Sequence, residues 1–353
     1  PAHAVLSIVA YLRCNSHVVP EGGRRAPKPG PLRQSIGQSY LGLDMPAVHI
    51  TASSNPERKK IYFQCQIHAR EWISGAVCMY IVDQMVTLYD ESDPQVTGIL
   101  DSAEIILIPF VNPDGYVYTW AHDRLWRKNR RTVGSQSGRP NPCVGVDINR
   151  NFPEGWREGG KKSNNPVECS EDYGGPNPMS EPETRNIINY WKANGPIVGA
   201  IDWHSYGQLI LHPWAFTKDD PKHDEQIKQL GSNMAKAIKE VHGTDYTSEK
   251  SIDLYQCFGI ASDWFYGDDA SSTNGGYRAV GYVIELRDTG TKGFLLPPDQ
   301  ILPTGQEIFP AVLLFAKTLL EHPISYAAHD AMVQSEGFSP MRFRGRYGSQ
   351  YNS

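Results

Sequence analysis

The sequence predicts an α/β protein of one domain, with a central mixed and largely parallel twisted sheet that is flanked by helices on both faces. Apolar runs of strand length alternate with longer stretches that have apolar residues at three- and four-residue spacing. This alternation is typical of a parallel sheet that is buried on both faces. No linker-like segment divides residues 36–322, and 353 residues, 40% of them hydrophobic, are enough to bury a substantial core.

The predicted elements follow in order along the chain. Strands are predicted for the short apolar runs at residues 47–51, 60–67, 104–111, 198–203, 208–212 and 279–286. Helices are predicted for the periodic stretches at residues 72–89, 181–194, 224–242 and 305–320. Loops rich in Gly, Pro, Asn and Ser are predicted at residues 132–180 and 267–277, and loops of this length usually shape a functional site.

The two ends of the chain are predicted to lie outside this domain. Residues 20–32 contain four Pro and three Gly, so residues 1–35 are predicted to form an irregular N-terminal segment. Residues 323–353 are predicted to form a polar C-terminal tail, because little apolar sequence follows Pro323. Residues 36–322 then make up the folded domain.

Charge and hydropathy argue against two classes of partner. The formal net charge is −5 and the isoelectric point is near 6.1, and no long run of like charge occurs. We therefore expect neither a nucleic-acid-binding face nor a polybasic membrane anchor. No stretch approaches the ~20 apolar residues that a transmembrane helix needs. The sequence predicts a soluble monomer.

Two pairs among the six cysteines are suitably placed for disulfide bonds. A bridge between Cys65 and Cys78 would restrain the turn from a predicted strand into a predicted helix. A bridge between Cys143 and Cys169 would restrain a loop rich in Gly, Asn and Pro. Cys14 and Cys257 have no evident partner, and a buried free thiol is the simpler interpretation of both.

His68 and Glu71 lie three residues apart, where a predicted strand ends and a predicted helix begins. Functional sites of α/β sheets collect at the carboxyl ends of the strands. The His offers a neutral nitrogen and the Glu a carboxylate oxygen, so the two can bind one cation. The same spacing is common in surface pairs, and by itself it is not specific.

His204 is a third candidate ligand, because it also follows an apolar run. Two His and one Glu leave a fourth position open for water, which is the arrangement of a catalytic zinc site and not of a structural one. Three separate segments would supply this one set of ligands. The combination is therefore more specific than the first pair alone.

A hydrolytic zinc site also needs a base and a group that stabilises negative charge. Glu285 ends an apolar run, where burial would raise its pKa and let it take a proton from water. Arg127 would stabilise the oxyanion that forms when water attacks a carbonyl. A structural ion pair is the alternative interpretation of either residue.

Seven short segments carry a more specific signal. They are His-Ala-Arg-Glu-Trp-Ile at 68–73, Asn-Pro-Asp-Gly-Tyr at 112–116, Arg-Leu-Trp-Arg-Lys at 124–128, Gly-Val-Asp-Ile-Asn-Arg-Asn-Phe at 145–152, His-Ser-Tyr at 204–206, Tyr-Gln at 255–256 and Ile-Glu-Leu-Arg-Asp-Thr-Gly at 284–290. In this order they resemble the pancreatic-type zinc carboxypeptidases A and B. The resemblance covers roughly residues 36–322 and identifies them as a catalytic domain. It implies a secreted exopeptidase that releases one amino acid from the C-terminus of a peptide or protein.

The resemblance also implies the residues of the metal centre. His68, Glu71 and His204 would bind one Zn²⁺ per chain, and Asp147 would accept a hydrogen bond from the His68 ring. Glu285 would activate zinc-bound water as general base and later return the proton. The family also has a cis peptide bond where Ser205-Tyr206 falls here, and we expect it in this chain.

A further set of residues is implied to bind the substrate or its transition state. The set comprises Arg127, Arg70, Asn149, Arg150, Tyr206, Tyr255, Ser262 and Phe294. The fork of Arg150, helped by Asn149 and a mobile Tyr255, would clamp the terminal carboxylate, so only a free C-terminus would bring its last bond to the metal. Arg70, Tyr206 and Phe294 would contact residues upstream of that bond.

One position departs from both types of pancreatic enzyme. The base of the pocket for the released side chain holds an aliphatic residue or an Asp in those enzymes, and Ser262 falls there in this sequence. A hydroxyl supplies no charge to pair with Lys or Arg. Ile260 and Cys257 are expected to line the same pocket, so the sequence favours uncharged C-terminal residues.

A catalytically inactive relative that only binds peptides is the alternative to an enzyme. Such a protein would be expected to lack the base or a metal ligand. The ligands, the base, the oxyanion donor and the carboxylate clamp are all present here, so the sequence favours the enzyme. A structural zinc protein is less favoured still, because only three protein ligands are supplied.

Overall fold

Eight strands form one mixed sheet in the computed structural model, which describes residues 32–133, 143–156 and 166–325. These strands are β1 (Leu32–Gln38), β2 (Asp44–Ile50), β3 (Lys59–Cys65), β4 (Ala103–Ile108), β7 (Ile197–Ser205), β8 (Leu209–His212), β9 (Thr247–Lys250) and β11 (Val280–Leu286). Their order across the sheet is β1-β2-β4-β3-β7-β11-β8-β9. Two short pairs lie outside it, β5 (Thr132–Val133) with β6 (Cys143–Val144) and β10 (Tyr277–Arg278) with β12 (Ile324–Ser325).

The four central strands, β4, β3, β7 and β11, run parallel to one another. At one side β1 and β2 pair antiparallel, and at the other side β8 is antiparallel to β11 and parallel to β9. Every residue of β4 and β7 is buried, which explains their nearly continuous apolar sequence. The carboxyl ends of β3, β7 and β11 therefore lie side by side at one edge of the sheet.

The helices of the described residues connect these strands. They are α1 (Trp72–Asp90), α2 (Pro94–Ser102), α3 (Pro113–Ala121), α4 (Pro182–Ala193), α5 (Asp224–His242), α6 (Ser251–Leu254), α7 (Ala261–Tyr266), α8 (Asp268–Ser272) and α9 (Ile301–Glu321). Short 3₁₀ helices span Ile148–Arg150, Gly293–Leu295 and Pro298–Gln300. Local sequence sets several ends: the Asp93 carboxylate caps α2, and Gly243 ends α5 in the left-handed conformation.

Helices cover both faces of the sheet. Alternate residues of β3 show the division, because Ile61 and Phe63 belong to one core and Tyr62 to the other. The first core packs against α1, α5 and α9. The second packs against α4 and α7, where the rings of Trp191 and Phe265 stack with centroids 4.8 Å apart.

The predicted fold class is confirmed, and each predicted strand and helix overlaps one in the structure. Strands β1 and β9 of the sheet were not predicted, because their residues are mostly polar and show no apolar pattern. Strand β1 begins at Leu32, so residues 32–35 of the segment predicted to be irregular belong to the sheet. Residues 1–31 and 326–353 lie outside the described residues, and the division of the chain into three parts stays a prediction.

Both predicted disulfide bonds are present. Cys65 and Cys78 join the end of β3 to α1, with 6.6 Å between their Cα atoms, and Cys143 and Cys169 are joined with a Cα separation of 5.0 Å. Cys257 is partly buried and forms no disulfide bond with any described cysteine, whereas Cys14 lies outside the described residues. In the part of the chain that the structure describes, no helix has both the length and the hydropathy to cross a membrane.

Candidate metal centre and substrate cleft

Two neighbouring strand ends bring the predicted metal ligands together. β3 ends at Cys65, His68 lies three residues beyond it, and Glu71 is the N-cap residue of α1. His204 is the penultimate residue of β7, which is the parallel neighbour of β3. All three ligand side chains are buried. The fold therefore collects three residues from distant parts of the chain at one edge of the sheet.

The two imidazoles and the carboxylate converge on one point. His68 Nδ1 lies 2.8 Å from Glu71 Oε1, His204 Nδ1 lies 2.9 Å from Glu71 Oε2, and the two Nδ1 atoms are 3.1 Å apart. Nitrogen and oxygen ligands that surround zinc tetrahedrally at about 2.0–2.1 Å are about 3.3 Å from one another. The spacing is close to that of a zinc site. Among the described residues, no other group of three such side chains is close enough to bind a metal ion.

Each imidazole has a carboxylate behind its other nitrogen. His68 Nε2 is 3.1 Å from Asp147 Oδ1, and His204 Nε2 is 2.9 Å from Asp202 Oδ2. Because a carboxylate only accepts hydrogen bonds, each Nε2 carries a proton and each Nδ1 of a neutral ring presents a lone pair. Two lone pairs and a carboxylate this close repel one another unless a cation lies between them. The donor set therefore fits Zn²⁺.

The charges around the centre lead to the same conclusion. Burial alone would raise the pKa of Glu71, but His68 and His204 hold it below its usual range. Burial would likewise lower the pKa of His204, but Asp202 and Glu71 raise it well above the usual value. The carboxylates around the centre therefore favour positive charge at His204, as they would favour a bound cation.

Glu285 lies beside the centre, near the end of β11. It is the register partner of His204 across the parallel strands β7 and β11. It lines the cleft, and its Oε2 atom has no hydrogen-bond partner among the described residues. Burial raises the pKa of Glu285 to about 8, although His204 lowers it, and a bound dication would lower it further. Such a carboxylate can accept a proton from water near neutral pH.

Arg127 lines the same cleft and is held by Asp147. The Nε and Nη2 atoms of Arg127 donate to Asp147 Oδ2 at 3.0 and 2.8 Å, which leaves the Nη1 group outside this pair. Burial would lower the pKa of Arg127, but Asp147 raises it, so the guanidinium stays charged. Asp147 thus contacts both His68 and Arg127 and keeps the metal centre and the guanidinium at a defined spacing.

Arg150, Asn149 and Tyr255 gather at one side of the cleft. Arg150 donates to the Tyr255 hydroxyl at 3.1 Å and to the carbonyl oxygen of Asn149 at 2.7 Å. Asn149 Oδ1 accepts from the backbone N–H of Ala261 at 2.8 Å, and its Nδ2 atom lies 3.1 Å from His204 Nε2. Arg150 is 8% exposed and Tyr255 is 54% exposed, so the ring can move without disturbing the core.

The remaining wall of the cleft is mostly apolar. It is formed by Leu211, Leu254, Ile260 and Val283, together with the thiol of Cys257. Burial raises the pKa of this thiol to about 11, so it is neutral at physiological pH. Ser262, which is predicted at the base of the pocket, is fully buried, and its hydroxyl has no partner among the described residues.

Arg70, Tyr206 and Phe294 form one cluster. The Arg70 guanidinium lies over the Phe294 ring, 4.2 Å from its centroid. The rings of Tyr206 and Phe294 meet edge to face with centroids 4.8 Å apart. The Ser205–Tyr206 peptide bond is cis, as expected. The three residues predicted to contact upstream parts of the substrate therefore lie together. One of them, Tyr206, follows the proposed ligand His204 by two residues.

Asp202 is the site residue that the sequence reasoning missed. It is fully buried and lies on the same face of β7 as His204, two residues away. A signal was available, because an acidic residue inside an apolar strand needs a buried partner. The two-residue period of the strand points to His204 as that partner.

Known proteins resemble this chain over most of its length. The pattern of the zinc carboxypeptidase family matches residues 32–311. Carboxypeptidase B of Astacus astacus is 39% identical over 290 residues, which cover 80% of this chain and 88% of that protein. Inactive metallocarboxypeptidase ECM14 of Ajellomyces dermatitidis is 36% identical over 311 residues, which cover 81% of this chain and 50% of that protein. The crystal structure of thrombin activatable fibrinolysis inhibitor matches with a TM-score of 0.77 and 30% identity, over 89% of this chain and 73% of that one. The chain therefore belongs to the zinc carboxypeptidase family and is a metallocarboxypeptidase.

Proposed function

We propose that the chain is a zinc-dependent exopeptidase that hydrolyses the last peptide bond of a peptide or protein and releases one C-terminal amino acid. The convergence of His68 Nδ1, His204 Nδ1 and the Glu71 carboxylate carries the proposal. These three side chains would hold one Zn²⁺ per chain. When bound, the ion would polarise a water molecule and the carbonyl group of the scissile bond.

Glu285 is proposed as the general base and the later acid. Its Oε2 atom, which has no hydrogen-bond partner in the described part of the chain, and its place beside His204 support this role. The carboxylate takes one proton from the attacking water, whose oxygen bonds to the carbonyl carbon. When the C–N bond breaks, the same proton goes to the departing amine. The products are a new C-terminal carboxyl group and a free amino acid, and Glu285 returns to its starting state.

Arg127 is proposed to stabilise the oxyanion that forms during this attack. Asp147 binds its Nε and Nη2 atoms, so the guanidinium is already oriented when charge develops on the substrate oxygen. A donor that is held in place needs little reorganisation, and this is the main source of such stabilisation. The Nη1 group, which Asp147 does not use, is the donor that we assign.

The clamp of Arg150, Asn149 and Tyr255 is proposed to bind the terminal carboxylate of the substrate. A guanidinium binds a carboxylate through two parallel hydrogen bonds, and its charge favours an anionic end group. Tyr255 occupies one donor of Arg150 now, and its exposed ring would move to cover the bound substrate. Cleavage at the last peptide bond follows from this selection for a free C-terminus.

The cleft wall supports a preference for uncharged, apolar C-terminal residues. Glu285 is the only acidic residue among the described residues that line the cleft, and its proposed role is catalytic. A buried Lys or Arg side chain of the substrate would therefore lack a partner, which is costly. Ser262, two residues after Ile260, supplies no charge. Arg70, Tyr206 and Phe294 are proposed to contact the residues upstream of the cleaved bond.

The two disulfide bonds support a secreted protein, because such bonds persist in oxidising compartments. We propose an extracellular monomer whose catalytic domain comprises residues 36–322. A catalytically inactive peptide-binding protein is the second candidate, since relatives named inactive share about a third of the sequence. The presence of the proposed base, beside a complete set of metal ligands, favours the enzyme.

The decisive test compares the wild type with Glu285→Gln, which keeps the shape of the side chain but cannot take a proton. Turnover of a peptide series that differs in the last residue should fall by roughly 10²–10⁴-fold. Zinc content, measured by elemental analysis, should stay at one per chain. Glu57→Gln is the control, because Glu57 is exposed and lies before β3, at the opposite edge of the sheet.

Amidation of the substrate's C-terminus is the second arm of the test. The amide has no negative charge for Arg150, so cleavage should be lost. Efficient cleavage of the amide would remove Arg150 from its proposed role. A wild type that binds zinc and peptides but turns over no member of the series would establish the inactive alternative.

A further inference from the structure

Asp202 is a buried carboxylate in the middle of the sheet. It lies in β7 and is 0% exposed. Its Oδ2 atom is 2.9 Å from His204 Nε2, whereas its Oδ1 atom has no hydrogen-bond partner among the described residues. A carboxylate in such a place is costly unless a specific interaction compensates for its lost hydration. The contact with His204 is the interaction that the structure offers.

Two groups compete for the same nitrogen of His204. Asp202 can only accept a hydrogen bond, so it requires a proton on Nε2. Asn149 Nδ2, which is 3.1 Å from Nε2, can only donate, so it requires a lone pair there. The Asn149 amide cannot simply turn over, because its Oδ1 atom accepts from the Ala261 N–H at 2.8 Å. A neutral imidazole satisfies one of the two groups and not both.

The outcome of this competition decides which nitrogen faces the metal position. With the proton on Nε2, the Nδ1 atom of His204 carries a lone pair beside Glu71 and His68. If Asn149 donated to Nε2 instead, the proton of the neutral ring would lie on Nδ1, and the ligand would be lost. A hydrogen bond to an ionised carboxylate is stronger than one between neutral groups, so Asp202 prevails.

We infer that Asp202 is a positioning residue, which selects the metal-binding tautomer of His204 and leaves the Asn149 amide free for the substrate. The inference rests on the proposed role of His204 as a zinc ligand. His204 then has its own carboxylate hydrogen-bond partner, Asp202, just as His68 has Asp147. A carboxylate behind a metal-binding imidazole also makes the ring a better donor.

A buried amide lies beside Asp202 on the neighbouring strand. Gln64 on β3 is the register partner of Asp202, and it is fully buried. Its Oε1 atom accepts from the Tyr62 hydroxyl at 3.1 Å, whereas its Nε2 atom has no partner among the described residues. Side chains of register partners project to the same face of a sheet. An amide donor without a partner among the described residues therefore projects from the neighbouring strand to the same face of the sheet as the Asp202 carboxylate.

Zinc affinity of the isolated protein tests the inference without reference to activity. Asp202→Asn keeps an acceptor of the same size but removes the charge that excludes Asn149. Competition with a chromophoric chelator should give a zinc Kd 10- to 100-fold higher than that of the wild type, the usual cost of losing such a partner. The difference in Tm between zinc-loaded and metal-free protein should shrink in parallel.

Asp263→Asn is the matched control. Asp263 is also 0% exposed and also has one carboxylate oxygen without a partner among the described residues, but it bonds the backbone of Ala215 and no imidazole. The zinc Kd of the Asp263→Asn variant should stay within about threefold of that of the wild type, well below the increase of at least 10-fold expected for Asp202→Asn. Equal weakening in both variants would overturn the inference, because it would reflect general destabilisation. An Asp202→Asn Kd within threefold of the wild type would overturn it as well.

Failure of the proposed function gives a different result. A wild type that binds no zinc removes both the metal centre and the role of Asp202, whereas tight wild-type binding with an unaffected variant removes the role of Asp202 alone. If Asp202→Asn does not fold, Asp202→Ser takes its place, and its zinc Kd should also be higher than that of the wild type. If neither folds, a crystal structure of the zinc-loaded wild type decides. Asp202 Oδ2 beyond hydrogen-bond distance of His204 Nε2 contradicts the inference, and contact between them supports it.

Discussion

The metal centre and the apolar wall belong to one cleft, but they are specified in different ways. Each of His68, Glu71 and His204 is held by several polar contacts of 2.8 to 3.2 Å, so the direction of each donor and acceptor is defined. The aliphatic side chains of the wall have no polar atoms, so packing and not hydrogen bonding defines their arrangement. Close to the wall in sequence, the Ser262 hydroxyl and one oxygen of Asp263 have no partner among the described residues.

This difference predicts how each region responds to substitution. A polar centre depends on direction, so one lost group disrupts the arrangement of all the others. An apolar wall depends on volume, so a smaller side chain changes affinity by a limited amount. Substitutions at the centre should therefore abolish function, whereas substitutions in the wall should change the preference among substrates.

The largest effect is expected for His204→Ala. Loss of a carboxylate behind a ligand costs 10- to 100-fold in metal affinity, so loss of the ligand itself should raise the zinc Kd by more than about 100-fold. Chelator competition measures the change. His212→Ala is the control. His212 is a buried histidine on β8, and neither of its ring nitrogens has a hydrogen-bond partner among the described residues. Similar zinc affinity in the two variants would contradict the assigned centre.

A smaller effect is expected for Ile260→Ala in the wall. The variant loses three carbon atoms from the cleft, so kcat/KM for peptides that end in a large apolar residue should fall by about 10-fold or more. Peptides that end in Ala should be nearly unaffected, since they do not reach the space that is vacated. Leu125→Ala, at a 49% exposed position, is the control. A uniform loss across all substrates would show that Ile260 does not shape the pocket.

The smallest effect concerns the pH dependence of stability. Burial raises the pKa of Asp263 to about 8 from its ordinary value of 3.8. A group whose pKa is higher in the folded state stabilises the fold most at a pH below its unfolded pKa. For Asp263 this contribution to the free energy of unfolding is lost as the pH rises towards 8. As the pH rises from the ordinary pKa of 3.8 to about 8, calorimetry should show the Tm of the wild type falling by a few degrees relative to that of Asp263→Asn. A constant difference between the two would contradict the raised pKa.

Several residues of the site were predictable because their chemistry coincides with a local pattern. His68, Glu71 and His204 each follow an apolar run, and parallel strands bring their carboxyl ends to one edge of the sheet. Glu285 is the penultimate residue of the next parallel strand and is the register partner of His204. Strand β1 was not predictable in this way, because an exposed edge strand needs no apolar period.

The sequence by itself determined the fold class, the main apolar strands and helices of the sheet and its two faces, the disulfide pairs and the candidate set of metal-binding side chains, because each follows from short-range periodicity or from recognisable segments. Only the tertiary structure decided which groups share a hydrogen bond across the sheet. It placed Asp202 behind His204 and Asn149 in competition for the same nitrogen. Such contacts depend on atomic distances between residues far apart in the chain, and no local pattern encodes them.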